Sequence, residues 1–244
     1  METKTLLLVA SAGAGLAAIA YGIYRRVGLA GSPLIVYAST GSGAGEFQAV
    51  ASRLAQALPG SRKTATPDGL PGLRTAIQAH QGRIGPLILV GHGTTRAFFS
   101  NLSPVAPTAL AGLLHNKLAA DAVVSLAGCR AGADTSEVDW SAASYGAGGA
   151  SSFAGLLRDA LVADGAPWGT EIRAHSTTGT TTLNPAVRVF RATRSQVGQP
   201  GLSALEILWG EGAAGNAGLR SRWTEAFRGA AAEQYMAGGE LRVA

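Results

Sequence analysis

The sequence has one cysteine and few charged residues, and these two shortages exclude several kinds of protein. A single cysteine among 244 residues excludes an internal disulfide framework and a zinc or iron–sulfur site built from several thiolates. Charged residues make up only 14% of the chain. The net charge of +5 comes from basic residues without a long basic run or an aromatic-interleaved patch, so we expect no nucleic-acid partner. The four histidines have no metal-ligand spacing, and we expect no metal and no cofactor.

Hydrophobic residues and glycine are abundant instead. Hydrophobic residues make up 47% of the chain, and there are 34 glycines, which is typical of a globular protein with many tight turns. The first 30 residues differ in composition from the rest. We therefore predict two parts, an anchor over residues 1–30 and one full-sized domain over residues 31–244.

Residues 5–24 carry no charge and lie between Lys4 and the pair Arg25 and Arg26. A helix of this length spans about 30 Å, the thickness of a hydrocarbon core, so we predict a single transmembrane helix in contact with lipid. A cleaved signal peptide and a buried helix are the alternatives. The two arginines on the far side favour a soluble domain on the cytoplasmic (interior) side of the membrane.

Apolar runs and helical spacing alternate through the rest of the chain. The pattern predicts a mainly parallel α/β sheet with helices on both faces. The expected strands are residues 34–38, 86–90, 122–126, 171–176 and 187–191, with a weaker strand within 61–69, and the expected helices are residues 46–58, 71–80, 106–118, 151–163 and 216–236. In such sheets, functional groups gather at the carboxyl ends of the strands.

A histidine and the single cysteine each follow the end of an apolar strand. His92 lies between two glycines after the run that ends at Val90, and Cys129 follows Gly128 after the run that ends at Leu126. A thiolate is a nucleophile, and a neighbouring imidazole can take its proton. Adjacent glycines leave backbone amides free to face a developing oxyanion. The spacing suits one crossover helix between neighbouring parallel strands, so we predict a Cys/His catalytic pair.

With these motifs, residues 34–190 resemble the caspase–gingipain superfamily of cysteine peptidases. That family has a hydrophobic run before His-Gly and another before a cysteine. The tetrad Cys129-Arg130-Ala131-Gly132 is similar to the Cys-x-Ser-Gly of metacaspases, and residues 151–174 are similar to the helix and strand that follow the cysteine in the CHAT branch. The resemblance implies a caspase-like fold and a cysteine endopeptidase with a peptide or protein substrate. Cys129 would be the nucleophile, His92 the proton shuttle, and the amides of Gly93 and Cys129 the oxyanion hole.

The resemblance also suggests which residues contact substrate. Ser39 and Ala127 occupy strand ends that shape the specificity pocket in the family, and Ser176 begins a hydroxyl-rich loop beside the cleft. Ala127 carries no charge where caspases have Gln and metacaspases Asp, so a preference for Asp or for Arg/Lys does not carry over. The acids after the cysteine, Asp134, Glu137 and Asp139, are expected to lie in a solvated loop, and the alternative is that one of them supplies an acid to the specificity pocket.

Two other functions are open at this point. The domain can be a catalytically silent scaffold in a membrane-bound assembly such as a virion. Alternatively, the glycine cluster of residues 39–45 after the first strand is typical of a flavodoxin-like phosphate or flavin site, although no Lys-Ser/Thr follows it. Of the remaining histidines, His175 is the one expected near the site, whereas His80 and His115 are expected at helix ends.

Overall fold

The computed structural model describes residues 31–67, 69–99, 104–179 and 184–240. The predicted anchor, residues 1–30 with its apolar segment 5–24, lies outside the described residues. Within the described ranges, no helix combines the length and apolar character needed to cross a membrane.

The described residues form a seven-stranded, mostly parallel sheet, which confirms the predicted α/β class. The strand order is β2-β1-β3-β4-β5-β6-β7. Strands β1 to β5 pair in parallel, while β6 and β7 add to the β5 edge in antiparallel orientation. The strands are β1 Ser32–Ala38, β2 Arg62–Thr66, β3 Ile84–Val90, β4 Val123–Ala127, β5 Glu171–His175, β6 Val187–Arg191 and β7 Leu202–Ser203.

Helices connect the strands and follow the last of them. The α-helices are α1 Ala44–Ala57, α2 Leu70–Gln78, α3 Pro107–Leu114, α4 Phe153–Ala163, α5 Ala204–Trp209, α6 Ala217–Ala226 and α7 Ala230–Met236. Short 3-10 helices cover Ala142–Tyr145, Arg194–Gln196 and Ala213–Gly215. Helix α1 packs against α7, whereas α2, α3 and α4 pack in a row. Right-handed crossovers place these two groups on opposite faces of the sheet, as the alternation predicts.

The central strands are continuous apolar runs because both of their faces are covered. Every residue of β3 and of β4 is buried. Helix α1 buries Phe47, Val50 and Leu54 at helical spacing against the sheet. These strands form the rigid base whose carboxyl ends hold the candidate site.

The C-terminal segment differs from the expected single helix over residues 216–236. It forms two helices, α6 and α7, which are separated at Gly229, where φ is +61° and glycine is the residue that tolerates such a backbone. The large apolar residues of this segment pack into the core, and Trp223 and Phe227 are almost completely buried. The short β7 and α5 have no counterpart in the sequence prediction.

Candidate active site

The sheet register brings His92 and Cys129 to equivalent positions on neighbouring strands. Val90 of β3 pairs with Ala127 of β4, and His92 and Cys129 each lie two residues further along the chain. Both residues are partly exposed at the carboxyl edge of the sheet. This is the arrangement that the strand-end pattern predicts.

Glycines allow the two strand ends to approach each other closely. A Cβ atom on Gly93 would lie 2.6 Å from the carbonyl oxygen of Cys129 and 3.2 Å from its amide nitrogen. A Cβ atom on Gly128 would lie 2.4 Å from the carbonyl oxygen of Gly91. The two distances to carbonyl oxygen atoms are shorter than non-bonded carbon and oxygen atoms can approach. Glycine is therefore needed at both positions for the strand ends to touch.

The backbone N–H groups of Gly93 and Cys129 are the two amides that the resemblance assigns to an oxyanion hole. Gly93 lies opposite Phe98 in an isolated β-bridge. The hydrogen bonds of this bridge are made by the flanking residues: the Phe99 N–H donates to His92 O, and the Thr94 N–H donates to Ala97 O. Among the residues that the structure describes, neither the Gly93 N–H nor the Cys129 N–H has an intramolecular acceptor. The two residues are neighbours, since a Cβ atom on Gly93 would lie 3.2 Å from the Cys129 amide nitrogen.

The glycine cluster after β1 positions His92. The His92 Nε2 atom lies 2.7 Å from the carbonyl oxygen of Ser42. Because a carbonyl oxygen can only accept, Nε2 carries the proton, and in a neutral ring Nδ1 has the free lone pair. The ring of Phe47 in α1 packs edge-on against the imidazole, with centroids 4.8 Å apart. Ser42 and Phe47 were not predicted as site residues, although Ser42 lies in the glycine cluster singled out in the sequence.

Cys129 is held between β4 and the segment that continues β5. The N–H of Arg130 donates to Thr177 O at 3.0 Å, and the N–H of Gly132 donates to His175 O at 2.8 Å. The thiol Sγ lies 3.6 Å from the carbonyl oxygen of Gly179, which is within range of a weak S–H hydrogen bond. The nucleophile candidate is thus fixed on both sides by backbone contacts.

The acids after Cys129 lie in a loop and are partly exposed, and each of them is also bonded within the protein. Glu137 pairs with the buried Arg188 at 2.7 Å. Asp134 accepts the N–H groups of Gly149 and Ser151 at 3.0 and 2.8 Å. These bonds organise residues 130–152, and sequence reasoning missed them because the partners Gly149, Ser151 and Arg188 lie 15, 17 and 51 residues away.

The third acid, Asp139, connects this loop to the segment that follows β5. Its carboxylate accepts the backbone N–H of Thr178 at 2.9 Å and the hydroxyl of the same residue. Thr178 directly precedes Gly179, whose carbonyl oxygen lies beside the thiol. Asp139 therefore ties the loop after the cysteine to the backbone that flanks the nucleophile.

The residues predicted to contact substrate fall into two groups. Ser39 is exposed at the carboxyl end of β1, and its hydroxyl donates to Thr66 O at 3.0 Å. Ala127 is fully buried, and Ser176 is 1% exposed with its hydroxyl donating to Ser144 O and Ala186 O. The structure brings Ser39 to the surface of the site and places the other two beneath it.

The other histidines lie away from His92 and Cys129 or inside the protein. His175 is completely buried at the end of β5. His80 follows α2 and is buried, so it is not a solvent-exposed residue at a helix end. Burial, with Arg62 and Lys117 nearby, lowers the pKa of His80 more than a backbone hydrogen bond near Arg83 raises it. Across the described residues, no group of three or more His, Cys, Asp or Glu side chains is arranged to hold a metal ion.

Comparison with known proteins found no relative of this chain. No family model, no curated protein and no solved structure matches it. The chemistry of the strand ends is therefore the basis for a functional proposal.

Proposed function

We propose that the protein is a membrane-anchored cysteine endopeptidase of caspase-like type. One observation carries the proposal: His92 and Cys129 occupy equivalent positions beyond paired strands, beside two amides that lack acceptors among the described residues. A nucleophile, a base with a fixed tautomer and an oxyanion site are the parts that acyl transfer requires. The substrate is a peptide or protein.

In the first half of the reaction, Nδ1 of His92 takes the thiol proton of Cys129. The Sγ atom attacks the carbonyl carbon of the scissile peptide bond, and the carbonyl oxygen becomes an oxyanion that the N–H groups of Gly93 and Cys129 stabilise. The bond from carbon to nitrogen then breaks. His92 returns the proton to the leaving amine, and a thioester on Cys129 is left.

In the second half, water replaces the amine. His92 takes a proton from the water, whose oxygen attacks the thioester carbon. The carbon–sulfur bond then breaks to release a carboxylic acid, and His92 returns the proton to the thiolate of Cys129. The carbonyl of Ser42 holds Nε2–H throughout, so the imidazolium is stabilised without a carboxylate partner. No cofactor is needed for either half. Residues 5–24 would hold this chemistry at a membrane surface.

Alkylation of Cys129 by iodoacetamide tests the proposal in the purified full-length chain. We expect rapid alkylation in the wild type between pH 5 and 9, and at least a tenfold slower rate in His92→Ala, because the imidazole takes the thiol proton. His115→Ala is the matched control. It removes a histidine whose ring bonds to Gly112 O near the end of α3, away from the cysteine, and its rate should equal the wild-type rate.

Slow alkylation of the wild type, or equal rates with and without His92, would contradict the peptidase. Either outcome would favour the silent scaffold, in which Cys129 is a structural thiol held by Gly179. Loss of cleavage in Cys129→Ser, measured on a fluorogenic peptide library, completes the test for turnover.

A flavodoxin-like function is a second candidate because of the sheet order. The order β2-β1-β3-β4-β5 has its switch point between β1 and β3, where phosphate and flavin ligands bind in such sheets. The loop after β1 lies at this point, but its Ser42 carbonyl is bonded to His92. Visible absorbance near 450 nm, or phosphate binding measured by calorimetry, would support this candidate, and the absence of both would exclude it.

A further inference from the structure

Two exposed apolar side chains lie on the loop that follows the nucleophile. Val138 is 72% exposed and Trp140 is 50% exposed. We call this pair the Trp140 rim. Large apolar side chains at such exposure are notable in a loop whose carboxylates are all bonded within the protein.

The Trp140 rim is close to the thiol. The indole Cζ2 atom lies 3.4 Å from where a Cβ atom of Gly179 would be, and the carbonyl oxygen of Gly179 lies 3.6 Å from Sγ of Cys129. With ordinary covalent geometry, these contacts place the edge of the indole within about 10 Å of the sulfur. An extended peptide covers that distance in about three residues.

The rim is held in place. Trp140 has φ +55°, a backbone conformation that is unfavourable for a bulky residue and persists only when its surroundings fix it. The adjacent Asp139 supplies this constraint by bonding to the backbone and hydroxyl of Thr178. The backbone that carries the indole is therefore held in place within reach of the thiol.

The three carboxylates of this loop already accept hydrogen bonds within the protein. Glu137 is neutralised by Arg188, Asp134 caps the backbone at Gly149 and Ser151, and Asp139 is bonded to Thr178. Each of these acids therefore has a partner inside the protein. The exposed residues of this segment are Thr135, Ser136, Val138 and Trp140, and the last two offer large apolar side chains.

From these contacts we infer that the Trp140 rim receives an apolar or aromatic side chain of the peptide substrate, within three residues of the bond that is cleaved. This inference rests on the proposed peptidase function and adds its specificity. Contact with the indole face favours Phe or Leu over charged side chains, because it removes apolar area from water.

A series of tripeptide chloromethyl ketones tests the inference on the full-length chain. The sulfur of Cys129 displaces chloride and forms a carbon–sulfur bond, so the rate of mass increase reports binding beside the thiol. In each probe one of the three residues is Phe, Leu, Asp or Arg, and the other two are Ala; all three positions are varied in turn. At one of these positions we expect the Phe and Leu probes to react at least tenfold faster than the Asp and Arg probes.

Trp140→Ala should abolish that preference, and Trp140→Phe should retain most of it. The matched control is Trp168→Ala, which removes a tryptophan that is 79% exposed before β5, at the opposite edge of the sheet, and should leave the preference unchanged. If Trp140→Ala does not fold, Val138→Asp gives the same information, because a carboxylate on the rim should slow the Phe probe and accelerate the Arg probe.

The outcomes separate this inference from the proposed function. Iodoacetamide is too small to reach the rim, so its rate with Cys129 should not change in Trp140→Ala. A fast iodoacetamide reaction combined with equal probe rates, or with a preference that persists in Trp140→Ala, overturns the inference alone. A slow, His92-independent iodoacetamide reaction overturns the peptidase, and the specificity falls with it.

Discussion

At the scale of single residues, the candidate site depends on two glycines that have no side chain to keep the strand ends apart. Gly93 and Gly128 let two backbone segments touch, and this contact sets the positions of the neighbouring His92 and Cys129. The sequence predicts that glycines flank the pair, since both motifs are visible by eye. It does not reveal that Gly128 faces the carbonyl of Gly91, because that depends on how two strands separated by a helix pack.

Gly128→Ala should destabilise the protein. The added methyl group would lie 2.4 Å from the Gly91 carbonyl oxygen and 2.8 Å from the ring of Phe98, so the strand ends must move apart. We expect a loss of about 1–3 kcal/mol in the free energy of unfolding, measured by urea denaturation. Gly112→Ala is the matched control. Its Cβ atom meets nothing within 4 Å in an exposed position of α3, and it should stabilise by up to about 1 kcal/mol. Equal effects of the two substitutions would refute the steric explanation.

Ser42 illustrates a different limit of sequence reading. It acts through its backbone carbonyl, so its side chain carries no signal of the role. The glycine cluster around it predicts a turn with accessible backbone, which is what the structure has. Which atom that backbone contacts depends on the placement of β3 beside β1, and local sequence does not encode it.

At the scale of elements, sequence reasoning missed the contacts that organise the loop after β4. Residues 130–152 have the composition of a solvated loop, yet they are organised around Arg188 of β6. The guanidinium is 1% exposed, and it also donates to the carbonyl oxygens of Gly132, Ala143 and Gly146. Ion pairs between residues 51 positions apart leave no trace in composition or periodicity. The apolar runs of β3 and β4, by contrast, are predictable because burial on both faces requires them.

Arg188→Met should break this loop as well as lower stability. The substitution leaves three carbonyl groups without this donor and removes the cation that pairs with Glu137, which keeps only the Asp134 N–H as a donor. Removing one partner of a buried ion pair costs about 3–5 kcal/mol, which we expect in urea denaturation. Arg191→Met on the exposed end of the same strand serves as control and should cost less than about 0.5 kcal/mol. If the two variants unfold at the same urea concentration, the network around Arg188 does not stabilise the fold.

At the scale of the whole molecule, the sheet order determines which loops can cooperate. The order of elements along the chain predicts the parallel core, but not that β1 lies between β2 and β3. That position brings the loop after β1 against His92. The antiparallel β6 and β7 complete the sheet, and they are short enough that β7 gives no sequence pattern of its own.

The molecule should lose stability as the pH falls, partly through His80. Burial and the nearby Arg62 and Lys117 lower the pKa of His80 in the folded chain below its usual 6.5. Above pH 6.5 this imidazole is neutral in both folded and unfolded chains and has no effect. Below pH 6.5 the unfolded chain takes up a proton that the folded chain resists, so the free energy of unfolding falls until the pH drops below the folded pKa.

Unfolding by urea between pH 5 and 8 measures this contribution when wild type is compared with His80→Phe. The variant has no imidazole at this position, so its stability should fall less steeply below pH 6.5. His115→Phe, which removes a partly exposed histidine from the end of α3, should retain the wild-type slope. Parallel pH profiles for wild type and His80→Phe would show that His80 is not responsible.

The single thiol also allows the molecules in a sample to be counted by titration. Cys129 is partly exposed in the folded chain, and the sequence has no other cysteine to compete for a reagent. Thiol titration in urea therefore gives the number of polypeptides in a sample. The same titration under native conditions, divided by that number, gives the fraction of molecules whose cysteine is open to solvent. Every preparation can be normalised in this way before rates are compared, without an inhibitor or an engineered tag.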